Sequence, residues 1–434
     1  MSGQSVKARA YLFHVGKTHE SIALGLCRLG NATIATFGRG LSDDVVRAIR
    51  AADSDVLSVE SLCGRSEASE AALYAQQRAQ LLRSKLLECP PAVPGAALPF
   101  DAERVFQALG PIETTLAESD LLLRSLDRLS EQFDVRGFVC SEDMLRLSRV
   151  AAQWARSRKA RSFHIHHGLT LGGVPARTGK HIYGQFFTDY LFAAGPRGAE
   201  ALVRWGCDPA KVVIAGSPAF DPYVELLGRQ GEIRQEFRRM CGLPSDARIV
   251  VFAVTGRSEW TLAETDPGPA TLEAFCAGAQ RALAAGGSFA IVIKDRVSHG
   301  KTGKQAVDAL LLKYGLRATY ATGRAENVVC AADLVVAAES TMSFEAALCG
   351  VPTVNIWSPS SWLFGPYFMG SDGVPQYSCD QVVELGAEIL CLINDQTYRE
   401  KVVANVSAAL PFVVHAPDGN AAMRCAEFVF ARTN

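Results

Sequence analysis

Short apolar runs bounded by turn residues alternate with longer segments of helical period along most of the chain. In the first half the runs ARAYLFHV, ATIATFG, VLSV, GFVCS and SFHIHHG predict strands, being short and rich in β-branched and aromatic residues. Helical spacing fills the intervals, as in His19–Leu29, Asp120–Gln132 and Met144–Arg156. In the last of these, Leu145, Leu147, Val150, Ala151 and Trp154 mark one apolar face. The proline-rich CPPAVPGAALPF, Cys89–Phe100, breaks the pattern and predicts a loop. The second half repeats the alternation. KVVIAG leads into the turn-rich GSPAFDPY, Gly216–Tyr223, and then a charged helix, Arg229–Met240. ARIVVFAVTG, GSFAIVIKD, RATYATG, ADLVVAAES and VPTVNIW follow as strands, and Asn420–Arg432 reads as a closing helix after a PDG turn.

Strand–helix alternation of this kind predicts α/β architecture with parallel sheets. We expect two Rossmann-like doubly wound domains, residues 1–219 and 220–415, with a segment 416–434 that crosses back to the first. A chain of 434 residues is too long for one ordinary core, which gives the same count. Ligands of such sheets bind outside the carboxyl ends of the strands, so a cleft between the two rows of strand ends is the expected site.

Charge and composition narrow the function. A formal net charge of −1 gives no global field toward nucleic acid or anionic lipid. The 12 cysteines form no C-x-x-C pair and read as scattered small hydrophobes of a reducing compartment. The start MSGQSVKARA runs into an apolar stretch too brief for a signal segment, and no apolar run is long enough to span a bilayer. The expectation is a cytoplasmic protein, working at the inner face of the membrane on membrane-attached material.

Four passages carry candidate chemistry. In ADLVVAAESTMSFEAALCGVPTVNI, a strand ends at Glu339, and Ser340, Thr341 and Ser343 crowd the following helix start with Glu345. Hydroxyls and free N–H groups there suit an anion, while a capping box would use one hydroxyl and the Glu. In FAIVIKDRVSHGKTGK, Lys294 ends a strand and Arg296 and His299 follow, a basic set suited to phosphates. Lys301 and Lys304 read as a solvated face. In VFAVTGRSEW, Thr255 and Gly256 let the backbone approach a ligand after the first strand of the second domain. HVGKT, with Lys17, is the equivalent turn of the first domain and faces the acceptor.

In FHIHHGLTLGG three histidines fall within four residues. Alternation puts His164 and His166 on one face and His167 on the other. No further ligands at zinc spacing flank them, so a metal is not expected. His167, just before Gly168 at a strand's carboxyl end, is the candidate general base. Glu142 and Asp143 are alternative proton acceptors or helix N-cap residues before Met144. Asp221, in GSPAFDPY, is the remaining carboxylate candidate.

These passages, across about residues 135–360, resemble the GT-B glycosyltransferases of bacterial surface polysaccharides. The nearest groups are the capsule and lipopolysaccharide transferases that use CMP-activated sugar acids (Kdo or sialic acid) and the CDP-glycerol glycerophosphotransferases. The segment ending GSPAFD and the segment ESTMSFEAALCGVP carry the resemblance. It implies that Ser340, Thr341 and Ser343 grip donor phosphates and that the H-G histidine, here His167, is the base. The family's K/R-x-H-P motif is altered here. The strand ends Lys294-Asp295-Arg296, and His299 precedes Gly300 where the motif has proline. The resemblance also implies no metal and no cofactor, a CMP-linked sugar as donor, and a glycan or glycolipid acceptor. Two rivals are a non-hydrolysing UDP-N-acetylglucosamine 2-epimerase and an inactive sugar-nucleotide-binding protein. The epimerase family uses several carboxylates near the sugar and an arginine-rich first loop, where this chain has HVGKTHE.

Overall fold

A computed structural model of the chain describes residues 7–16, 19–88, 112–143, 145–165, 186–254, 267–294, 304–321, 323–338, 340–357 and 373–434. The first seven strands are β1 (Arg9–His14), β2 (Thr33–Phe37), β3 (Asp55–Ser58), β4 (Asp134–Cys140), β5 (Arg161–Ile165), β6 (Tyr190–Ala193) and β7 (Val212–Ile214). They form one sheet of order β3-β2-β1-β4-β5-β6-β7, in which the ladders from β3 to β5 are parallel. The next six are β8 (Ile249–Ala253), β9 (Ala290–Lys294), β10 (Ala318–Tyr320), β11 (Leu334–Ala337), β12 (Thr353–Trp357) and β13 (Gln376–Ser378). Their order is β10-β9-β8-β11-β12-β13, and every ladder is parallel. The α/β class and the doubly wound sheets are as the hydrophobic pattern predicts.

The chain divides into two compact units. One holds the described parts of residues 1–166, 185–191 and 425–434; the other holds those of 192–424. In the first, Leu12, Phe37, Phe138 and Cys140 of the sheet pack against Leu122, Leu126, Leu129 and Trp154 from the helices Ile112–Gln132 and Arg146–Ser157. Tyr11 and Thr433 hydrogen-bond at 3.2 Å, and Phe428 meets Phe163 edge-on, so the carboxyl end of helix Ala421–Thr433 belongs to this core. In the second unit, β8 is buried at every position, its Phe252 stacks on Phe275 of the helix Pro267–Ala284 at 4.4 Å, and helix Val382–Asn394 packs against β11.

Two helices depart from the sequence reading. The helix predicted from Asp120 begins at Ile112. A 24-residue helix, Arg65–Glu88, was not expected, and its burial explains why. It contacts Ile112–Gln132 through the small residues Ala71, Ala75 and Ala79, while Leu73, Tyr74, Leu81 and Leu82 stay exposed. Alanines carry little hydrophobic contrast, so the helical period is faint. No helix among the described residues is long and apolar enough to cross a membrane.

Candidate functional site

In each sheet the chain leaves a central strand in both directions, and the two reversals define the crevices where a doubly wound fold places ligands. In the second unit the reversal lies between β8 and β11. Register puts three strand ends level: Ala253 pairs with Lys294 on one side and with Ala337 on the other. Two strand spacings, roughly 10 Å, therefore separate the Lys294 and Ala337 backbones. Lys294 is half-buried, and among the described residues its ammonium makes one long contact, 3.5 Å, to the Gly323 carbonyl.

After β11 the chain turns at Ser340 into helix Met342–Leu348. Its three hydroxyls are in different states. Ser340 Oγ accepts from the Met342 amide at 3.3 Å, which leaves its own hydrogen uncommitted among the described residues. Thr341 Oγ1 donates to Glu345 Oε1 at 2.9 Å, so its single hydrogen is spent. Ser343 is fully buried, and its Oγ has no partner among the described residues. Thr341 occupies the N-cap position without a side-chain cap, so the capping box open to the sequence does not form. Glu345 instead receives hydroxyls on both oxygens, the second from Tyr223. Burial, and then the Glu345 charge, push the Tyr223 phenol well above its ordinary range.

Asp221, two residues from Tyr223, points elsewhere. Its oxygens accept from the backbone amides of Ala421 and Ala422 at 3.0 and 2.8 Å, capping helix Ala421–Thr433 from 200 positions away. Burial lifts its carboxyl above the usual range, and these amides with Arg424 hold the rise back. Gly216, in the same GSPAFD motif, has φ +85°, and a Cβ there would lie 2.8 Å from the His415 carbonyl oxygen. Much of the motif thus serves the closure of this unit.

In the first unit the reversal lies between β1 and β4, and the strand ends His14, Cys140 and His164 stand level. His19 is fully buried with both ring nitrogens engaged. Nδ1 accepts from the Gly16 amide at 3.1 Å, and Nε2–H therefore donates to the Ile165 carbonyl at 2.9 Å. His164 Nε2 donates to the Ser141 carbonyl at 2.8 Å, with Nδ1 3.7 Å from Asp143 Oδ1. Asp143 is buried and accepts from the amides of Phe187 and Thr188 at 2.6 and 3.4 Å. It does not cap the next helix, which begins at Arg146 behind Leu145. Glu142 is half-buried on the turn after β4. The candidates His167, Gly168, Lys17, Thr255, Gly256, Arg296 and His299 lie outside the described residues.

The sequence reading passed over His14. It is half-buried at the end of β1, stacked on Phe37 at 4.7 Å and 6°, with Nδ1 2.6 Å from Ser148 Oγ. Burial lowers its pKa, and the Glu60 carboxylate partly opposes the fall. The available signal was its place as the last residue of the first strand beside a sheet reversal.

No family model matches the chain, and no curated protein matches it. Solved structures do. HepE of Anabaena, in complex with UDP and glucose, is 13% identical with a TM-score of 0.52, and the match covers 94% of this chain and 95% of that one. The UDP-GlcNAc 2-epimerase of Neisseria meningitidis, bound to UDP-GlcNAc, is 11% identical at a TM-score of 0.55, covering 95% and 97%. A glycosyltransferase of Rickettsia africae is 10% identical at 0.55, covering 98% of each chain. The chain has the fold of these proteins, two Rossmann-like units of the GT-B type.

Proposed function

We propose that the chain is a glycosyltransferase that moves a sugar from a nucleotide donor to a surface-polysaccharide or glycolipid acceptor. The observation that carries this is the level row of strand ends in the second unit. It sets the half-buried cation Lys294 two strands from β11, after which comes Ser340, the hydroxyl with an uncommitted hydrogen. A cation and a hydroxyl donor at a sheet reversal suit a donor phosphate. They help most as negative charge develops on the leaving group, and they need no metal for it. In this reading the second unit holds the nucleotide and the first carries the acceptor; a histidine takes the acceptor's proton, and His167 is the sequence candidate for it.

The sequence resemblance favours a CMP-linked sugar acid such as Kdo, whereas the complexes of HepE and the epimerase hold uridine nucleotides. Thermal unfolding with CMP, CDP, UDP and GDP separates these. One nucleotide should stabilise the chain, and both Lys294→Ala and Ser340→Ala should reduce that stabilisation while melting normally without ligand. A charge-assisted hydrogen bond is worth about 1.5–3 kcal/mol, so each change should weaken binding by roughly 10- to 100-fold. Stabilisation by no nucleotide, or unaltered affinity in both variants, would remove the reading. Release of a 2-epimerised sugar would assign the chain to the epimerase chemistry instead.

A further inference from the structure

We propose that His14 is the group of the first unit that accepts the proton of the acceptor hydroxyl, with Ser148 as its positioning residue. This rests on the glycosyltransferase reading and names a residue within it. Three features fix the imidazole. Its ring lies flat on Phe37, with 6° between the planes. Its Nδ1 is 2.6 Å from Ser148 Oγ, on a fully buried serine. Its Nε2 and Cδ2 pass over Gly38, where a Cβ would stand 3.1 Å from either atom, so a side chain there would push the ring by a few tenths of an ångström.

In the proposed arrangement Ser148 Oγ is the acceptor for the Nδ1–H of His14. The lone pair is then on Nε2, which has no hydrogen-bond partner among the described residues. His19 and His164 differ in this respect. Each donates its Nε2–H to a carbonyl, Ile165 and Ser141 respectively, so neither can take a proton at that nitrogen.

The step balances within the two substrates and the ring. The acceptor's O–H bond breaks as its proton passes to His14 Nε2, and the oxygen bonds the anomeric carbon of the donor. The bond from that carbon to the phosphate oxygen breaks, and its electron pair leaves with the nucleotide. His14 ends as an imidazolium and returns the proton to solvent. Water in place of the acceptor gives slow donor hydrolysis by the same route.

Three measurements test the assignment. Proton–nitrogen correlation spectra of histidine-labelled full-length chain, with the His14 signal identified by its loss in His14→Asn, should show an Nδ1–H neutral ring at pH 7.5. Ser148→Ala should mix the tautomers. Release of UDP from UDP-glucose or UDP-GlcNAc should fall by about 10²–10⁴-fold in His14→Asn, the usual worth of a positioned base. UDP should still raise the melting temperature of that variant. An Nε2–H ring or an imidazolium at pH 7.5 overturns the proposal, and this reading uses the unaltered chain, whatever becomes of a variant's folding. Undiminished UDP release in His14→Asn also overturns it, and loss in His167→Asn alone then gives the role to His167. A wild-type chain that neither binds nor releases UDP overturns His14 as the base for uridine donors, while stabilisation by CMP or CDP leaves the glycosyltransferase reading standing.

Discussion

The histidines at the end of the first sheet differ in how many ring nitrogens the fold consumes, and that difference has a measurable consequence in pH. His14 is half-buried with a lowered pKa, burial being the larger cause and the Glu60 charge opposing it. Between that lowered value and the ordinary one of about 6.5, the unfolded chain binds a proton at this site that the folded chain does not. Stability from this group is therefore full above about pH 6.5 and lost as the pH falls through the folded value. The excess stability of the wild type over His14→Asn, read from urea unfolding, should be smaller at pH 5.5 than at pH 7.5. Other titrating groups cancel in the difference. An equal excess at both values would mean His14 titrates alike in both states. At Gly38 the demand is steric: φ is +78°, and a Cβ would meet the His14 ring at 3.1 Å. Gly38→Ala should cost about 1–2 kcal/mol from the left-handed backbone alone. It should also move the His14 resonances, whereas unmoved resonances would show the ring is not seated on the glycine.

Helices and strands were legible where burial is continuous and illegible where a distant residue decides. β8, β11 and β12 read as strands because nearly every position is buried, which writes an unbroken apolar run. Helix Arg65–Glu88 escaped because its inward face is alanine. The hydroxyl cluster at Ser340 was visible as composition. Its division of labour was not, because that depends on Tyr223, 122 positions away from Glu345. Asp221 likewise reads in the sequence as a spare carboxylate, while in the fold it caps a helix beginning at Ala421. Asp221→Ala should therefore behave as loss of a cap, destabilising by about 1–2 kcal/mol in urea unfolding. Nucleotide affinity of the folded variant should be unchanged. Should the variant keep its stability and lose turnover instead, Asp221 would be a nucleophile or base, and its bonds to Ala421 and Ala422 would be incidental to its role.

The two units carry different halves of the proposed chemistry, so a nucleotide should be felt by one of them first. The donor groups Lys294 and Ser340 belong to the unit of residues 192–424, and His14 belongs to the other. A ligand at 100 times its dissociation constant adds about 2.7 kcal/mol to whatever unfolds with its site. For a unit of this size each kcal/mol is worth about 2–4 °C, so the melting transition that reports the second unit should rise by roughly 5–11 °C. Hydrogen exchange resolves where the gain falls. With saturating nucleotide, slowing should concentrate at the carboxyl ends of β8, β9 and β11 and over Ser340–Leu348. The sheet core around Leu12 and Phe138, already fully buried in the other unit, should exchange at its ligand-free rate. Protection centred on His14, Cys140 and His164 instead would place the nucleotide at the first sheet's reversal. Donor and acceptor would then exchange units, and Lys294 would lose its part in the reaction.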